Sequence, residues 1–566
     1  MKTSFNLWTE PWILVRQSRG QGNGDILAVS MKDCFARAHE LEAIAGELPT
    51  QDAAIFRLLL AVMHRALPIT DRRPGRQWRA WWDAPALPVE AIEGYLSQHL
   101  NRFDLLHSET PFAQVANLKG SKTSGLVKLL ADVPDGERYF TTRAGRHTGA
   151  VSVGEAARWL VHTQTFDPSG IKTGAVGDPR VKGGRGYPIG TGWSGQCGLV
   201  LAEGATLKES LLLSFTRNLH EADDTPWWER PPLTAAPCTG HDQPSGPADI
   251  MTWPARRIRL VVEEAPSGTE PPERKVVDVL LCNGDAIHPR NRQRLEPHCA
   301  WRYSEPQTKK HGHDVYMPRT HDPDRAFWRG LPSVLARGAA RDGAASDAAP
   351  AMEPNVVAWL ASLVLDGYLD PAHPVHFRAI GVTYGPQSST FAAVVDDHLR
   401  FQAALLAEPH LRLAAVQAVE AADLAVRAIY HLDVNLAKAG GRHDGADATD
   451  VGERVFASLD PLYRRWVASL GQSADPEERL RAWHTAAYDV VRSAGAALVE
   501  AAGEAAWRGR EVKRGGAAGG LAFLDSSLAF TYFAAALRKA LPAAQQVTEL
   551  AGRPASRQLR GNEESV

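Results

Sequence analysis

The sequence has few cysteines, no long apolar run and almost no net charge, and each shortage excludes a class of protein. Its five cysteines are widely spaced and form no CxxC pair, which excludes a disulfide framework and a zinc knuckle. No stretch approaches the roughly 18 uninterrupted apolar residues of a membrane span, and the opening residues are too polar for a signal peptide. The 63 basic and 65 acidic residues give a formal net charge of −2, so a nucleic-acid surface would have to be local. We expect a cytoplasmic protein without a membrane partner.

Recognisable catalytic signatures are also missing. The sequence contains no Walker A lysine motif, no GxSxG elbow and no HExxH helix. Residues 190–195 read GTGWSG and match GxGxxG, but a dinucleotide site also needs a preceding strand and an acidic residue about 20 positions further on. The HGHD segment at 311–314, with His298 and Cys299 nearby, lacks the spacing of a closed tetrahedral metal site. We expect no catalysis, no metal and no other cofactor.

The length of 566 residues exceeds what one hydrophobic core usually supports, so we predict two domains of α+β class. Residues 1–400 mix helical and strand patterns with long loops, a low-complexity insertion at 336–354 and a hairpin at 377–395. Residues 401–545 have helical periodicity and predict a four-helix bundle, and 546–566 predict a disordered tail. The four helical segments are 408–438, 450–470, 475–507 and 521–541.

The most unusual segment is residues 170–198, where ten of 29 residues are glycine. Glycine lets a backbone adopt positive φ and approach another surface without a Cβ in the way, which a plain connection does not require. The charged side chains of this loop are one acid, Asp178, and four bases: Lys172, Arg180, Lys182 and Arg185. A long, basic, glycine-rich loop favours a large anionic ligand, and a nucleic-acid backbone fits best.

Other basic clusters lie at 141–147, 256–259, 290–294 and 309–310. Each alone is more often a solvated face than a nucleic-acid contact. In the second cluster, strand alternation would place Arg257 and Arg259 on one face, which could carry phosphates or simply face water. Together with the glycine-rich loop, the clusters favour nucleic-acid binding.

Several motifs in order resemble those of one known family. They are FNLWTEPWILVR at the start, ELPTQDAAIFRLLLAVMHRAL, ETPFAQV at 109–115, the glycine-rich loop, TPWWERP at 225–231 and the C-terminal helical segments. Together they resemble the CasA family, the large subunit of the type I-E CRISPR Cascade surveillance complex, over nearly the whole chain. No single motif suffices, but the series in this order is specific.

The resemblance implies a non-catalytic subunit of an antiviral complex that reads DNA. Members inspect double-stranded DNA for the protospacer-adjacent motif, help to open the duplex for R-loop formation and provide the landing site for a helicase-nuclease. The implied partners are target duplex DNA, the crRNA 5′ handle, the helicase-nuclease, and the sister backbone, small and 5′-handle-binding subunits.

Three family elements read the DNA: a glycine loop at the minor groove, a basic residue on a nearby strand, and a hairpin with a glutamine at its tip. Carried onto this sequence, the wedge is Gln387. The glycine loop corresponds to Lys182, Gly183, Gly184, Arg185 and Gly186. A loop without Cβ atoms fits a groove about 6 Å wide, and an inserted wedge starts strand separation where the guide begins to pair.

Two further family elements correspond to this sequence less directly. The assisting basic residue falls in a region that holds Arg290, Arg292 and Arg294, and all three stay candidates. A loop toward the crRNA handle matches Phe140, Thr141, Thr142 and Arg143. Phe140 is the candidate stacking side chain; without the resemblance it would be taken for a core phenylalanine.

The sequence departs from the family pattern at two places. Some relatives carry a cysteine-rich, zinc-knuckle-like insertion, whereas residues 264–281 contain no cysteine, so we predict no zinc. Lys182 and Arg185 stand in a loop that elsewhere can be nearly all glycine, which predicts a larger share of phosphate contacts here.

Two other functions stay open. One is a nucleotide-binding enzyme that uses the glycine-rich loop as a phosphate cradle, in which case nucleotide should raise the melting temperature. The other is a structural scaffold that binds sister subunits and no DNA, in which case changing Lys182 or Gln387 would leave target binding intact.

Overall fold

The computed structural model describes residues 4–18, 24–133, 141, 143, 149–219, 223–264, 274–336, 351–442, 448–471, 475–513 and 521–544. The chain forms two compact units, unit 1 (Met1–Leu399) and unit 2 (Arg400–Val566). Most of the insertion predicted at 336–354, and all of the tail predicted at 546–566, lie outside the described residues. None of the described helices is long and apolar enough to cross a membrane.

Unit 1 mixes short helices with small antiparallel sheets. Its helices are α1 (Met31–Ala36), α2 (Pro49–Ala66), α3 (Pro74–Asp83), α4 (Val89–Ser97), α5 (Val153–Phe166), α6 (Leu207–Ser214), α7 (Pro247–Met251), α8 (Glu305–His311), α9 (Leu331–Val334) and α10 (Asn355–Leu365). Its strands are β1 (Ile13–Gln17), β2 (Ile26–Val29), β3 (Leu41–Ile44), β4 (Val151–Ser152), β5 (Lys172–Thr173), β6 (Arg185–Gly186), β7 (Leu199–Glu203), β8 (Arg256–Glu264), β9 (Arg274–Asn283), β10 (Trp301–Tyr303), β11 (Tyr316–Pro318), β12 (Pro374–Tyr384) and β13 (Phe391–Gln402).

Three sheets of three strands organise the described part of unit 1, in the orders β2-β1-β3, β4-β9-β8 and β13-β12-β7. Between them run two buried helices, α2 and α5, whose side chains are apolar along most of their length. Ser152 caps α5 by accepting a hydrogen bond from the Glu155 amide at 3.1 Å. Helix α5 ends at Phe166, shortly before the glycine-rich loop begins at Gly170.

On strand β8, the prediction that Arg257 and Arg259 share a face open to phosphates or water is wrong for Arg257. Arg259 is exposed, but Arg257 is fully buried and its guanidinium pairs with Asp285 at 2.9 Å. Arg257 also donates to the carbonyls of Thr234 (2.6 Å) and Ala236 (3.1 Å). The irregular segment after residue 231 therefore covers this end of the strand and keeps Arg257 from any phosphate.

A buried ionic network joins α2 to the glycine-rich loop. The Arg57 guanidinium donates two hydrogen bonds to the Glu296 carboxylate, at 2.8 and 2.7 Å, and both side chains are fully buried. The indole of Trp193, within the glycine-rich loop, donates to the same carboxylate at 2.5 Å. Burial alone would raise the pKa of Glu296, but the charge and hydrogen bonds of Arg57 outweigh it and lower the pKa to about 2.

Unit 2 is dominated by long helices. Its helices are α11 (Ala404–Ala407), α12 (Pro409–Gly440), α13 (Ala448–Ser469), α14 (Pro476–Ala501), α15 (Gly503–Arg508) and α16 (Ser526–Ala540), and its strands are β14 (Arg510–Lys513) and β15 (Leu521–Leu524). Helix α12 packs against α13, α14 and α16. Trp483 and Tyr463 are buried and hydrogen-bond carbonyls of α12 at 3.1 Å each. The predicted α+β class with a C-terminal helical region is confirmed.

Two boundaries of the predicted helical segments are wrong. The segment 475–507 breaks into α14 and α15 at Gly503, whose φ of +77° ends the helical path. Residues 521–524 form strand β15, paired with β14, rather than the first turn of a helix. The Asp525 side chain accepts from the Leu528 amide at 2.8 Å, so the last helix begins only after this cap.

Candidate nucleic-acid interface

The glycine-rich loop projects a tight hairpin turn, residues 182–185, called here the glycine turn. Strands β5 and β6 pair antiparallel, and Lys182 and Arg185 exchange two backbone hydrogen bonds of 3.1 Å. Gly183 and Gly184 have φ of +57° and +72°, as a two-residue type I′ turn requires. A Cβ on either glycine would meet nothing within 4 Å. The glycines therefore serve the backbone conformation and leave the tip bare.

The four basic side chains of the glycine-rich loop differ in whether an acidic residue pairs with them. Lys172 pairs with Asp167 at 2.6 Å, and Arg180 pairs with Asp178 at 2.8 Å. Lys182 and Arg185 are exposed, and neither side chain has an ion pair or hydrogen bond within the part of the chain that the structure describes. The free positive charge of the loop thus lies on the two residues that flank the bare tip.

The side chain of the buried Arg256 supports the glycine-rich loop through hydrogen bonds. Arg256 donates to the Asp167 carboxylate and to four backbone carbonyls, those of Ala255 (2.9 Å), Asp167 (3.1 Å), Pro168 (3.0 Å) and Gly190 (2.9 Å). Burial would raise the pKa of Asp167, but Lys172 and Arg256 hold the pKa below its usual value. Both ends of the segment that carries the glycine turn are therefore fixed to one side chain.

A second projection, residues 385–390, joins β12 to β13 and is called here the hairpin tip. Its ends are closed by a hydrogen bond from the Gly385 amide to the Thr390 carbonyl at 3.0 Å. Gln387 and Ser388 both have φ of 55°, a left-handed conformation that costs a non-glycine residue about 1–2 kcal/mol. Gln387 is exposed, and its side chain makes no hydrogen bond with the described residues. The turn thus presents Gln387 at the tip at an energetic cost.

The loop and the hairpin meet at their bases. A Cβ on Gly170 would lie 4.0 Å from the Cβ of Ser389 in the hairpin tip. The Tyr384 hydroxyl donates to the Phe166 carbonyl at 2.6 Å, and a Cβ on Gly195 would overlap that hydroxyl. Burial raises the pKa of Tyr384 well above its usual value, so it stays a protonated donor. The structure therefore brings together the two elements predicted separately from the sequence.

A charge cluster holds the strands of the hairpin to the body of unit 1. Arg378 on β12 pairs with Asp396 on β13 at 2.7 Å, with Asp52 on α2 at 3.3 Å and with Glu203 on β7 at 3.6 Å. Burial raises the pKa of Asp52 to about 6 and that of Glu203 to about 7. One guanidinium thus links both hairpin strands to a helix and to the neighbouring strand.

Comparison with known proteins places this geometry in a family. The structure of Thermobifida fusca Cse1 superposes with a TM-score of 0.82 at 39% identity, over 96% of this chain and 99% of that chain. The family described as CRISPR-associated protein Cse1 matches residues 6–494. The chain belongs to the CRISPR-associated protein Cse1 family. The resemblance to the CasA family drawn from the sequence is confirmed.

One further relative and one solved assembly extend the comparison. The Thermus thermophilus protein named CRISPR-associated protein CasA/Cse1 is 33% identical over 267 residues, which are 46% of this chain and 49% of that protein. This match spans about half the length of that relative. A chain of an assembly described as a CRISPR RNA-guided surveillance complex shares the fold, with a TM-score of 0.62 at 23% identity over 88% of this chain and 98% of that chain.

The structure separates the three candidate arginines for the assisting role in this Cse1 protein. Arg290 contacts the His311 ring, and Arg292 donates to Gln243 and to the His288 carbonyl. These bonds direct both guanidinium groups to side chains and backbone outside the glycine turn. Arg294 is exposed and has no ion pair with the described residues. Arg294 is the candidate whose guanidinium has no hydrogen-bond partner among the described residues.

The crRNA-handle candidates are described only in part. Phe140 and Thr142 lie outside the described residues, and Thr141 accepts a hydrogen bond from the Arg143 amide at 3.1 Å. The contacts of the Arg143 guanidinium are Asp132 at 2.6 Å, Glu155 at 2.5 Å and the Trp159 ring at 5.8 Å. This guanidinium is therefore held within the protein by two ion pairs.

Neither the HGHD segment at 311–314 nor the nearby His298 forms a metal centre among the described residues. His298 is buried beside Arg57 and contacts the Ser214 carbonyl at 3.0 Å. Within the described ranges, no group of three or more His, Cys, Asp or Glu side chains is arranged to hold a metal ion.

Sequence reasoning missed an exposed apolar pair next to the glycine turn. Tyr187 is 52% exposed and Ile171 is 58% exposed. Both immediately flank the short β5–β6 ladder, whose last pair is Lys172 and Gly186. The available signal was spacing, because Tyr187 follows the basic Arg185 by two residues, and residues two apart share a face where the backbone is extended.

Proposed function

We propose that this chain is the non-catalytic, DNA-reading subunit of an RNA-guided CRISPR surveillance complex. It inspects duplex DNA for a protospacer-adjacent motif, helps to open the duplex for R-loop formation and recruits a helicase-nuclease. The observation that carries the proposal is the common base of a bare, cation-flanked glycine turn and a hairpin tip that presents Gln387. Membership of the Cse1 family and the fold shared with a chain of a surveillance complex support it.

The glycine turn suits close approach to a minor groove. The groove is about 6 Å wide and shows a degenerate base pattern, so a backbone tip without Cβ atoms can enter where a side-chain-bearing turn is too broad. Lys182 and Arg185 flank this tip and supply the charges for the phosphates on either side. Arg294, in the turn-rich segment between β9 and β10, supplies a further exposed cation.

The remaining partners follow the family pattern. The loop around residues 140–143 contacts the crRNA 5′ handle. The helices of unit 2 contact the sister subunits, and the assembled surface receives the helicase-nuclease after target binding. In this arrangement the subunit detects the DNA, and another protein cleaves it.

Removing the charges of the glycine turn should weaken target binding and flatten its salt dependence. The test is a gel-shift titration of motif-bearing duplex by the complex reconstituted with crRNA and sister subunits, at several salt concentrations. With Lys182→Ala/Arg185→Ala we expect about tenfold lower affinity at low salt. We also expect the slope of log K against log salt to be shallower by about 2, since each phosphate contact contributes about 0.9.

The matched control for this titration is Arg72→Ala/Arg73→Ala, which removes two exposed adjacent cations from the loop before α3. This control should bind as the wild type does. If the glycine-turn variant also keeps its affinity and slope, the DNA contact is elsewhere and the scaffold function is favoured. If nucleotide raises the melting temperature of the isolated chain, the phosphate-cradle enzyme is favoured.

Shortening Gln387 should slow duplex opening, and more so on relaxed DNA. Negative supercoiling already assists opening, so Gln387→Ala should reduce the R-loop formation rate about tenfold on relaxed DNA and much less on supercoiled DNA. Gln387→Gly is the informative companion, because glycine adopts the φ of 55° without strain and keeps the turn. Equal slowing on both DNA forms, or a normal rate for Gln387→Gly, would contradict the wedge role.

A further inference from the structure

Tyr187 and Ile171 form an exposed apolar patch that the proposed function leaves unassigned. Single exposed hydrophobic residues are common on protein surfaces, and the described part of unit 2 exposes Tyr430 and Tyr532 to a similar degree. Tyr187 differs in its neighbours: an unpaired cation two residues before it and a second exposed apolar residue across the hairpin.

The backbone of Tyr187 is fixed while its side chain is free. The Asn283 side-chain amide donates to the Tyr187 carbonyl at 2.7 Å. Gly186 is buried, and a Cβ there would lie 3.2 Å from the same amide. Arg185 and Tyr187 are both exposed, on either side of the buried Gly186. The Tyr187 hydroxyl has no hydrogen-bond partner among the described residues.

The patch lies between the two projections along the loop. Ile171 follows Gly170, the residue that abuts Ser389 of the hairpin tip. On the other side, Tyr187 is two residues from Arg185 at the end of the glycine turn. Short chain segments thus join the patch to both projections, and a nucleic-acid strand that contacts both would lie close to it.

We propose that Tyr187, supported by Ile171, is a stacking platform for a nucleobase that becomes unpaired beside the motif. The inference rests on the proposed function and adds a contact for the opened strand. Aromatic side chains bind unpaired bases through their π faces with little sequence preference, and a nearby cation holds the phosphate. The arrangement of Arg185 and Tyr187 supplies both parts. Opening is then favoured by a contact that only the separated strand can make.

The test uses the reconstituted complex and a target duplex with 2-aminopurine placed beside the motif, on each strand in turn. Stacking on Tyr187 should quench the fluorescence of one of these probes when the wild-type complex opens the duplex. Tyr187→Ala should abolish that quenching and lower the rate of R-loop formation about tenfold. Tyr187→Phe and Tyr187→Trp should retain both signals, since each keeps an aromatic face.

The control is Leu365→Ala, which removes an exposed apolar side chain (65% exposed) at the end of α10 in unit 1 and should behave as wild type. Thermal melting should be the same for all variants, because the side chain of Tyr187 is exposed. Wild-type quenching and rate in Tyr187→Ala would overturn the platform, and so would a Tyr187→Phe variant as defective as the alanine. If the wild-type complex neither prefers nor opens motif-bearing duplex, the proposed function fails and the platform with it. If the wild type opens the duplex, the alanine and phenylalanine variants of Tyr187 test the platform separately from the proposed function.

Discussion

Replacing Gly183 with asparagine should leave the chain folded and reduce the affinity of the assembled complex for motif-bearing duplex about a hundredfold, or about 2.7 kcal/mol. Asn-Gly is the preferred pair in type I′ turns, so the φ of +57° is kept. The Cβ of the new side chain enters space in which the protein itself has no other atom within 4 Å. Any loss of binding therefore reports a ligand that needs that space. The loss should exceed that of the charge variant, because a displaced tip withdraws Lys182 and Arg185 as well.

Gly312→Asn is the matched control for this substitution. Gly312 follows α8 with a φ of +73°, and a Cβ there would also meet nothing within 4 Å. Both variants should melt at the wild-type temperature, and the Gly312 variant should bind DNA normally in the same gel-shift titration. Normal binding by Gly183→Asn would show that no ligand approaches the turn closely, and would remove the main support for minor-groove contact.

Cutting the buried pair of Arg57 and Glu296 should cost unit 1 about 3–5 kcal/mol of unfolding free energy. Arg57→Met leaves the Glu296 carboxylate fully buried with only Trp193 and backbone donors. Urea denaturation followed by tryptophan fluorescence measures the loss. The folded pKa of Glu296, about 2, lies below the unfolded value of 4.5. The contribution is therefore complete above about pH 4.5 and is lost as the pH falls toward 2.

The double variant Arg57→Met/Glu296→Leu separates a buried charge from lost packing. Replacing both partners with apolar residues removes the uncompensated carboxylate, so the double variant should be more stable than Arg57→Met alone. Arg508→Met, which breaks an exposed pair with Glu504, should leave the unfolding free energy nearly unchanged. A single variant within about 1 kcal/mol of wild type would contradict the assignment of a strong buried pair.

The sequence predicted those features that depend on local chemistry. The Ala-rich periodicity after residue 408 predicted the helices of unit 2, and the Gly-Pro turn chemistry predicted the hairpin that carries Gln387. The glycine content of 170–198 predicted positive φ, and the structure has it at Gly183 and Gly184. Local patterns failed at Gly503, because an isolated glycine is tolerated within many helices and only the φ decides.

The rest depends on contacts between residues far apart in the chain. Nothing in the basic composition of the loop distinguished Lys172, which Asp167 neutralises, from the free Lys182. The bond from Tyr384 to Phe166 joins residues 218 positions apart and brings the hairpin to the loop. The left-handed φ of Gln387 was equally hidden, since neither glycine nor asparagine marks that position. Such features follow from the tertiary fold and produce no periodic pattern in the sequence.

The arginine beneath the loop has a consequence for the entropy of target binding. Arg256 joins the carbonyls at 167, 168 and 190, and the hairpin shares that support through Tyr384. The backbone on both sides of the two tips is therefore ordered during folding, which under the proposed function is before any duplex arrives. On encounter, mainly the exposed side chains lose rotamer freedom, at about 0.5–1.5 kcal/mol each. A preorganised surface of this kind can sample many duplexes in brief collisions, because rejecting a wrong sequence requires no loop to unfold.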